Sequence, residues 1–203
     1  MNRTVEAMVD DKGNPLKDHV MFERPGFKEK KTCQLSAYLL HLAGGKMDTF
    51  TLIKLLYLID REALKRWGRA ITFDNYVSMP HGPVLSKTYD LIKGKTHSAL
   101  WSEYFSEWEN GFYVCLVNDN PDFGALSRAE RNLTKMIFNI YGQMNFRQLY
   151  ELGHSLEEWE DPAGSVRPIQ IERILQAVGK TEDEIKAICE EMHSEAYAEK
   201  VFG

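Results

Sequence analysis

Between positions 48 and 67 the chain reads DTFTLIKLLYLIDREALKRW, and its apolar residues fall on two sides of a helix. Leu52, Leu55, Leu56, Ile59 and Ala63 keep the i, i+3, i+4, i+7 spacing of one buried face, and Ile53, Tyr57 and Leu64 form a second row. A helix apolar on two sides packs neighbours all around itself, so this segment is expected at the centre of the fold. Asp48 or Thr49 is placed to cap its first turn, and Gly68 to end it. At ~1.5 Å per residue it runs roughly 30 Å.

The same reading predicts a helix over residues 30–43, stopped by Gly44-Gly45, and kinked extended chain over 69–79 around Asp74-Asn75. Gly82 reads as a position needing unusual backbone angles, and Pro83 as the first residue of a helix over 83–93 that turns Val84, Leu85, Tyr89 and Ile92 to the core. Residues 101–117 look like a β-hairpin about Glu109-Asn110-Gly111, since Asn-Gly is the strongest short turn signal. Ser127 with Glu130 forms a capping box for a helix to about Tyr141, and Asn145 opens another to about Glu158. Helices over 167–179 and 181–200 follow, the last with Thr181 and Glu184 as a capping box. Residues 1–29 read as an arm or a small hairpin around Asp11–Pro15. The expected fold is mainly α (α+β): one globular helical domain over residues 30–203, with six or seven helices around the central one and a small antiparallel hairpin or sheet.

Composition narrows the class. The 203 residues are 43% hydrophobic and 27% charged, enough for one domain with a core. The net charge of −5 argues against a general nucleic-acid binder. Cys33, Cys115 and Cys189 are far apart and odd in number, which suits reduced thiols rather than a disulfide framework. The first residues lack the apolar core of a signal peptide, and no run reaches the ~18 apolar residues of a membrane span, so a cytoplasmic protein is expected.

Candidate chemistry is sparse. His81 precedes a Gly-Pro step, Asp60 lies on the central helix, and His154 has Glu157 and Glu158 nearby; a His–carboxylate pair can do acid–base work. No nucleophile with a fixed partner accompanies them, so His81 reads first as a hydrogen-bonded structural residue. Cys189 and His193 share a helix face, but two ligands do not make a metal site, and no phosphate-binding loop is present. No cofactor or metal is expected. Residues 27–70 hold nine basic against four acidic side chains, whereas 181–200 hold seven acidic against two basic. A helix-turn-helix in the basic stretch is disfavoured because its second helix is too apolar to lie in a groove. The acidic end, with Glu190, Glu191 and Glu195, and the aromatic hairpin, with Trp101, Tyr104 and Trp108, are the candidate partner surfaces.

One stretch says more: KLLYLIDREALKRWGRAITFDNYVSMPHGPVLSKTYDLIKG. It resembles the Panacea (SocA-like) antitoxin domain family. The shared features are a K-L-L-Y-x-x-D helix (Lys54, Leu55, Leu56, Tyr57, Asp60), a W-G step with I-T-x-D (Trp67, Gly68, Ile71, Thr72, Asp74), and a G-P-V turn before a tyrosine (Gly82, Pro83, Val84, Tyr89). A second block, His154 to Trp159, is similar to the family's H-S-E-x-P-W, with Glu158 where the family often has proline. The resemblance covers about residues 30–160. It implies a non-enzymatic antitoxin of a bacterial or phage toxin–antitoxin pair that neutralises a cognate toxin by direct protein binding. The alternatives are an adaptor that delivers the toxin to an ATP-dependent protease and, in another class, a small hydrolase-like enzyme using His81. The motif residues, His81 and His154 included, then read as scaffold, with Asp60 expected to hydrogen-bond near the His81-Gly82 turn.

Overall fold

The computed structural model describes residues 23–106 and 112–202. Helix α1 (Glu29–Leu42) leads through strand β1 (Lys46–Asp48) into α2 (Thr49–Trp67), the axis of the fold. Every α2 residue from Thr51 to Asp60 is buried, as are Ala63 and Leu64. The Asp48 side chain accepts from the Thr51 amide at 2.9 Å, and Gly68 ends the helix in the left-handed region at φ 64°. Both ends thus lie where the sequence puts them. Helix α5 (Arg128–Tyr141), opened by the Ser127–Glu130 capping box, packs on α1 and α2 together.

Two small antiparallel sheets flank this core. In one, β5 (Tyr113–Leu116) lies between β1 and the two-residue β4 (Phe105–Ser106), with Met47 opposite Val114. In the other, β2 (Tyr76–Met79) is central, β3 (Gly82–Leu85) pairs with it through the Pro80-His81 turn, and β6 (Arg167–Ile169) returns along its other side. Pro83 and Pro168 sit on the two edge strands, where a residue without an N–H is tolerated and further pairing is discouraged.

Four expectations are corrected here. Pro83 is in β3, not at the start of a helix, and α3 spans only Ser86–Ile92. Its first turn is capped from a distance: the Asp74 carboxylate accepts from the Lys87 and Thr88 amides at 2.9 and 2.8 Å. The first arm of the expected hairpin is helical over α4 (Ala99–Tyr104), because Ser98 accepts from the Trp101 amide at 3.0 Å; only β4 and β5 are strand. The Glu109-Asn110-Gly111 turn lies outside the described residues. Residues 167–169 join β2, so α7 begins at Ile171 and runs to Ala177. Helix α6 (Phe146–His154) stops short of Glu158, because the chain there turns inward to bury that carboxylate. With α4 there are eight helices among the described residues.

The last helix, α8 (Glu182–Phe202), leans on α7 and on Gly68. An ideal Cβ on Gly68 would lie 2.8 Å from Ile188 Cγ1, so this glycine serves both the backbone turn and the packing. The charge asymmetry of the sequence closes on itself: Arg69 pairs with Glu195, Lys28 with Glu199, and Lys31 with Glu130. The basic stretch is therefore partly neutralised by later elements rather than displayed as one surface.

Candidate functional site

Helix α2 carries polar residues in the middle of its buried length. Lys54, Tyr57 and Arg61 follow the three- and four-residue steps of one face, with Asp60 beside them. Each ties the helix to a different segment.

Asp60 is fully buried. Its carboxylate accepts from the Ile71 amide at 2.9 Å, the Thr72 amide at 3.1 Å, the Thr72 hydroxyl, and the Tyr76 hydroxyl at 3.2 Å. Burial pushes its pKa up to about 6, while these donors pull the other way. Its partners lie on the 71–76 segment and not at the His81-Gly82 turn, which corrects the expectation for this residue. Tyr57 donates to Glu158 Oε1 at 2.8 Å, and Arg61 grips the same carboxylate through Nε at 2.6 Å and Nη2 at 3.2 Å. Burial, and next the Glu158 charge, hold the Tyr57 hydroxyl well above its usual range.

Lys54 takes up the hairpin turn. Its Nζ donates to the Pro83 carbonyl at 3.0 Å and lies 5.3 Å from the Phe50 ring centroid. No carboxylate among the described residues pairs with it, and burial alone pulls its pKa from 10.5 to about 7. Two residues from the other end of the motif grip the same turn. Trp159 Nε1 donates to the Met79 carbonyl at 3.1 Å, and His154 Nε2 lies 3.0 Å from the Pro80 carbonyl. His154 Nδ1 lies 2.7 Å from the Tyr150 carbonyl. The carbonyls of residues 79 and 83 are thus held by Trp159 and Lys54, and the His154 ring lies against that of residue 80. Gly82 sits between them at φ 94°, and an ideal Cβ there would lie 3.0 Å from Lys54 Nζ. Glycine meets both demands.

The outer side of the turn is aromatic. His81 is exposed, with its ring 6.2 Å from Phe146 and 5.9 Å from Tyr150, so ring contacts replace the hydrogen bond expected of it. Phe146 is 56% exposed and its ring lies 4.4 Å from Phe50. Beneath them a cavity of about 320 Å³ opens between the start of α2, the turn and α3. Thr49, Ile53, Lys54, Gly82 and Val84 are the buried part of its lining; Phe50, Met79, Pro80, His81, Tyr89 and Lys93 surround them nearer the surface.

The remaining expected site residues scatter. Leu55 and Val84 are core. Trp101 is 9% exposed and its ring lies tilted against Phe105 at 4.2 Å, and Tyr104 is half-buried, its hydroxyl accepting from the Gln34 side-chain amide at 3.1 Å. Trp108 lies outside the described residues. Glu190 and Glu191 are exposed on α8, but Glu195 is engaged by Arg69. The residues of the imagined acid–base pairs do not meet: Asp60 is enclosed by its donors, and Glu158 by Tyr57 and Arg61. Arg61 and Glu158 were missed as partners; the one available signal was an arginine four positions after Tyr57 on an otherwise apolar helix face. Phe146 was missed because it reads as an ordinary apolar residue in the first turn of α6.

A family model described as "Antitoxin SocA-like, Panacea domain" matches residues 52–160, more than half of the chain and all the elements from α2 to the Trp159 turn. No curated protein and no solved structure matches it.

Proposed function

We propose that this chain, which belongs to the SocA-like Panacea antitoxin family, neutralises a cognate toxin by binding it directly as a folded protein, without catalysing a reaction. The family match over α2 to Trp159 is the observation that carries this reading. The contact face is the outer side of the β2–β3 turn, made of His81, Phe146, Tyr150 and Phe50. What supports this choice is rigidity beneath exposure. The turn is clamped at two carbonyls with the His154 ring against a third, and an aromatic group fixed in advance binds with less loss of conformational freedom. The exposed acids Glu190 and Glu191 and the half-buried Tyr104 are secondary candidates on separate faces. No helix among the described residues is long and apolar enough to cross a membrane, and the toxin is expected to be met in the cytoplasm.

The experiment is growth of cells expressing the neighbouring open reading frame, with and without this protein, followed by co-purification. Restored growth with a stable complex is the expected result. Restored growth with disappearance of the toxin would instead favour delivery to an ATP-dependent protease. A harmless neighbour would remove the reading. Phe146→Ala should weaken the complex by about 30-fold or more, the loss typical of a central aromatic anchor, while leaving the fold intact because the residue is exposed.

A further inference from the structure

The cavity beside the clamped turn contains polar chemistry that no role described so far uses. Lys54 is 4% exposed, and of its three N–H donors one reaches an acceptor among the described residues, the Pro83 carbonyl. On its Tyr57 and Leu149 side only about 10 Å³ of space remains, too little for a ligand, so the room lies on the Phe50–Met79 side. Thr49 is 5% exposed and lines the same cavity, but its hydroxyl oxygen is fully enclosed and does not open onto the space. A buried ammonium without a counter-charge among the described residues is unfavourable unless something completes it. Among the described residues lining the cavity, Lys54 and Lys93 are the charged ones, and none is a carboxylate. The rest of the lining is largely apolar: Phe50, Ile53, Met79 and Val84. The volume, about 320 Å³, lies at the low end for small-ligand sites.

We propose that this cavity binds an apolar monocarboxylate, its carboxylate meeting Lys54 Nζ and its hydrocarbon body lying against Phe50, Ile53 and Met79. A carboxylate supplies acceptors for the remaining N–H groups of Lys54 and a charge opposite to its own. A phosphate would fill the space with polar surface against apolar walls, whereas a cation would face two lysines. The absence of a side chain at Gly82 is part of the construction, since a Cβ there would lie 3.0 Å from the ammonium. The proposal stands apart from the antitoxin reading, because it concerns the isolated chain and needs no toxin.

The test is calorimetric titration of the purified full-length chain with 3-phenylpropionate and with 3-phenylpropionamide, alongside a short peptide ending in phenylalanine with a free or amidated C-terminus. The free acid is expected to bind at least about 10-fold more tightly than its amide, the difference that a charge-assisted hydrogen bond makes. Lys54→Met should abolish that preference. Should Lys54→Met not fold, Lys54→Gln serves instead: it keeps two N–H donors without the charge and should weaken the acid several-fold while leaving the amide nearly unchanged. Binding of the free acid identifies a small molecule as sufficient; binding of only the free-ended peptide identifies a chain terminus as the source of the same group. Equal binding of acid and amide, no binding of either acid at millimolar concentration, or full retention of acid binding in the tested variant would overturn the proposal.

Discussion

Replacing Lys54 with methionine should make the protein more stable, and by more in acid than in alkali. The native pKa of Lys54 is about 7 because its ammonium is buried, against 10.5 for the free side chain. Below pH 7 both the native and the unfolded chain carry the proton, and the native state bears the full penalty of burying it, on the order of 5 kcal/mol for a shift of this size. Between pH 7 and 10.5 the unfolded chain holds a proton that the native chain lacks, so wild-type stability rises with pH as the penalty fades. Methionine fills a similar length without charge but loses the bond to the Pro83 carbonyl, worth about 1.5–3 kcal/mol when the donor is charged. The variant should therefore gain about 2–3 kcal/mol at pH 6. By pH 9, two units above the native pKa, its advantage should have shrunk by about 2.5 kcal/mol. Urea unfolding of both proteins at pH 6 and pH 9 measures this, and every other titration common to the two cancels in the difference. An advantage equal at both pH values, or a variant less stable than wild type at pH 6, would refute the reasoning.

Glu158→Leu should lose about 3–5 kcal/mol, because it strands a largely buried Arg61 and the buried Tyr57 hydroxyl, and adding Arg61→Met should recover most of that loss. Denaturant melts of the single and double variants decide; a single variant within about 1 kcal/mol of wild type would show that the carboxylate is not a clasp. Asp60→Ala should cost about 1–3 kcal/mol by leaving two amides and two hydroxyls short of an acceptor, and an unchanged melting curve would dispose of that claim. Asp60 also makes a pH prediction of the opposite sign to Lys54. Its native pKa of about 6 lies above the unfolded value near 4, so the native state takes up its proton first and stability rises as pH falls from 6 to 4. Stability measured relative to Asp60→Asn across that range should rise by about 2 kcal/mol on acidification; a flat difference would contradict it.

Legibility in the sequence followed the range of the forces involved. Elements fixed by local chemistry stood out: α2 by its double apolar row, α5 by its capping box, and both ends of α2 by Asp48 and Gly68. Elements fixed by distant partners did not. Pro83 satisfies the rule for a helix start equally well, and only β2 alongside makes it an edge strand. Residues 167–169 read as the beginning of a helix until β2 recruits them. The run before residue 107 reads as strand because Asn110-Gly111 signals a hairpin, but Ser98 starts a helix there. At the site, a resemblance in sequence picked out Lys54, Asp60, His154 and Trp159 without indicating what they bind. That Asp74 caps α3 across the chain, or that Glu158 folds inward onto Arg61, depends on contacts between residues 13 to 97 positions apart and leaves no local trace.

The family motif and the proposed toxin contact therefore lie on opposite sides of one turn. Motif side chains hold the turn from within through its carbonyls, and they touch backbone, so they constrain the shape of the turn and not the residues it displays. The side chains outside it, His81 and Phe146, are free to differ without disturbing the clamp, because they are exposed and meet each other through ring contacts alone. A domain built this way can keep one scaffold and change its partner. The two classes of substitution should then separate in measurement. Asp60→Ala should lower the melting temperature while leaving the affinity of the folded fraction for toxin within about twofold. Phe146→Ala should do the reverse, weakening the complex with a melting temperature near that of wild type. If Asp60→Ala weakens the folded protein's affinity as much as Phe146→Ala does, scaffold and contact are not separate, and the face assigned to the toxin is the wrong one.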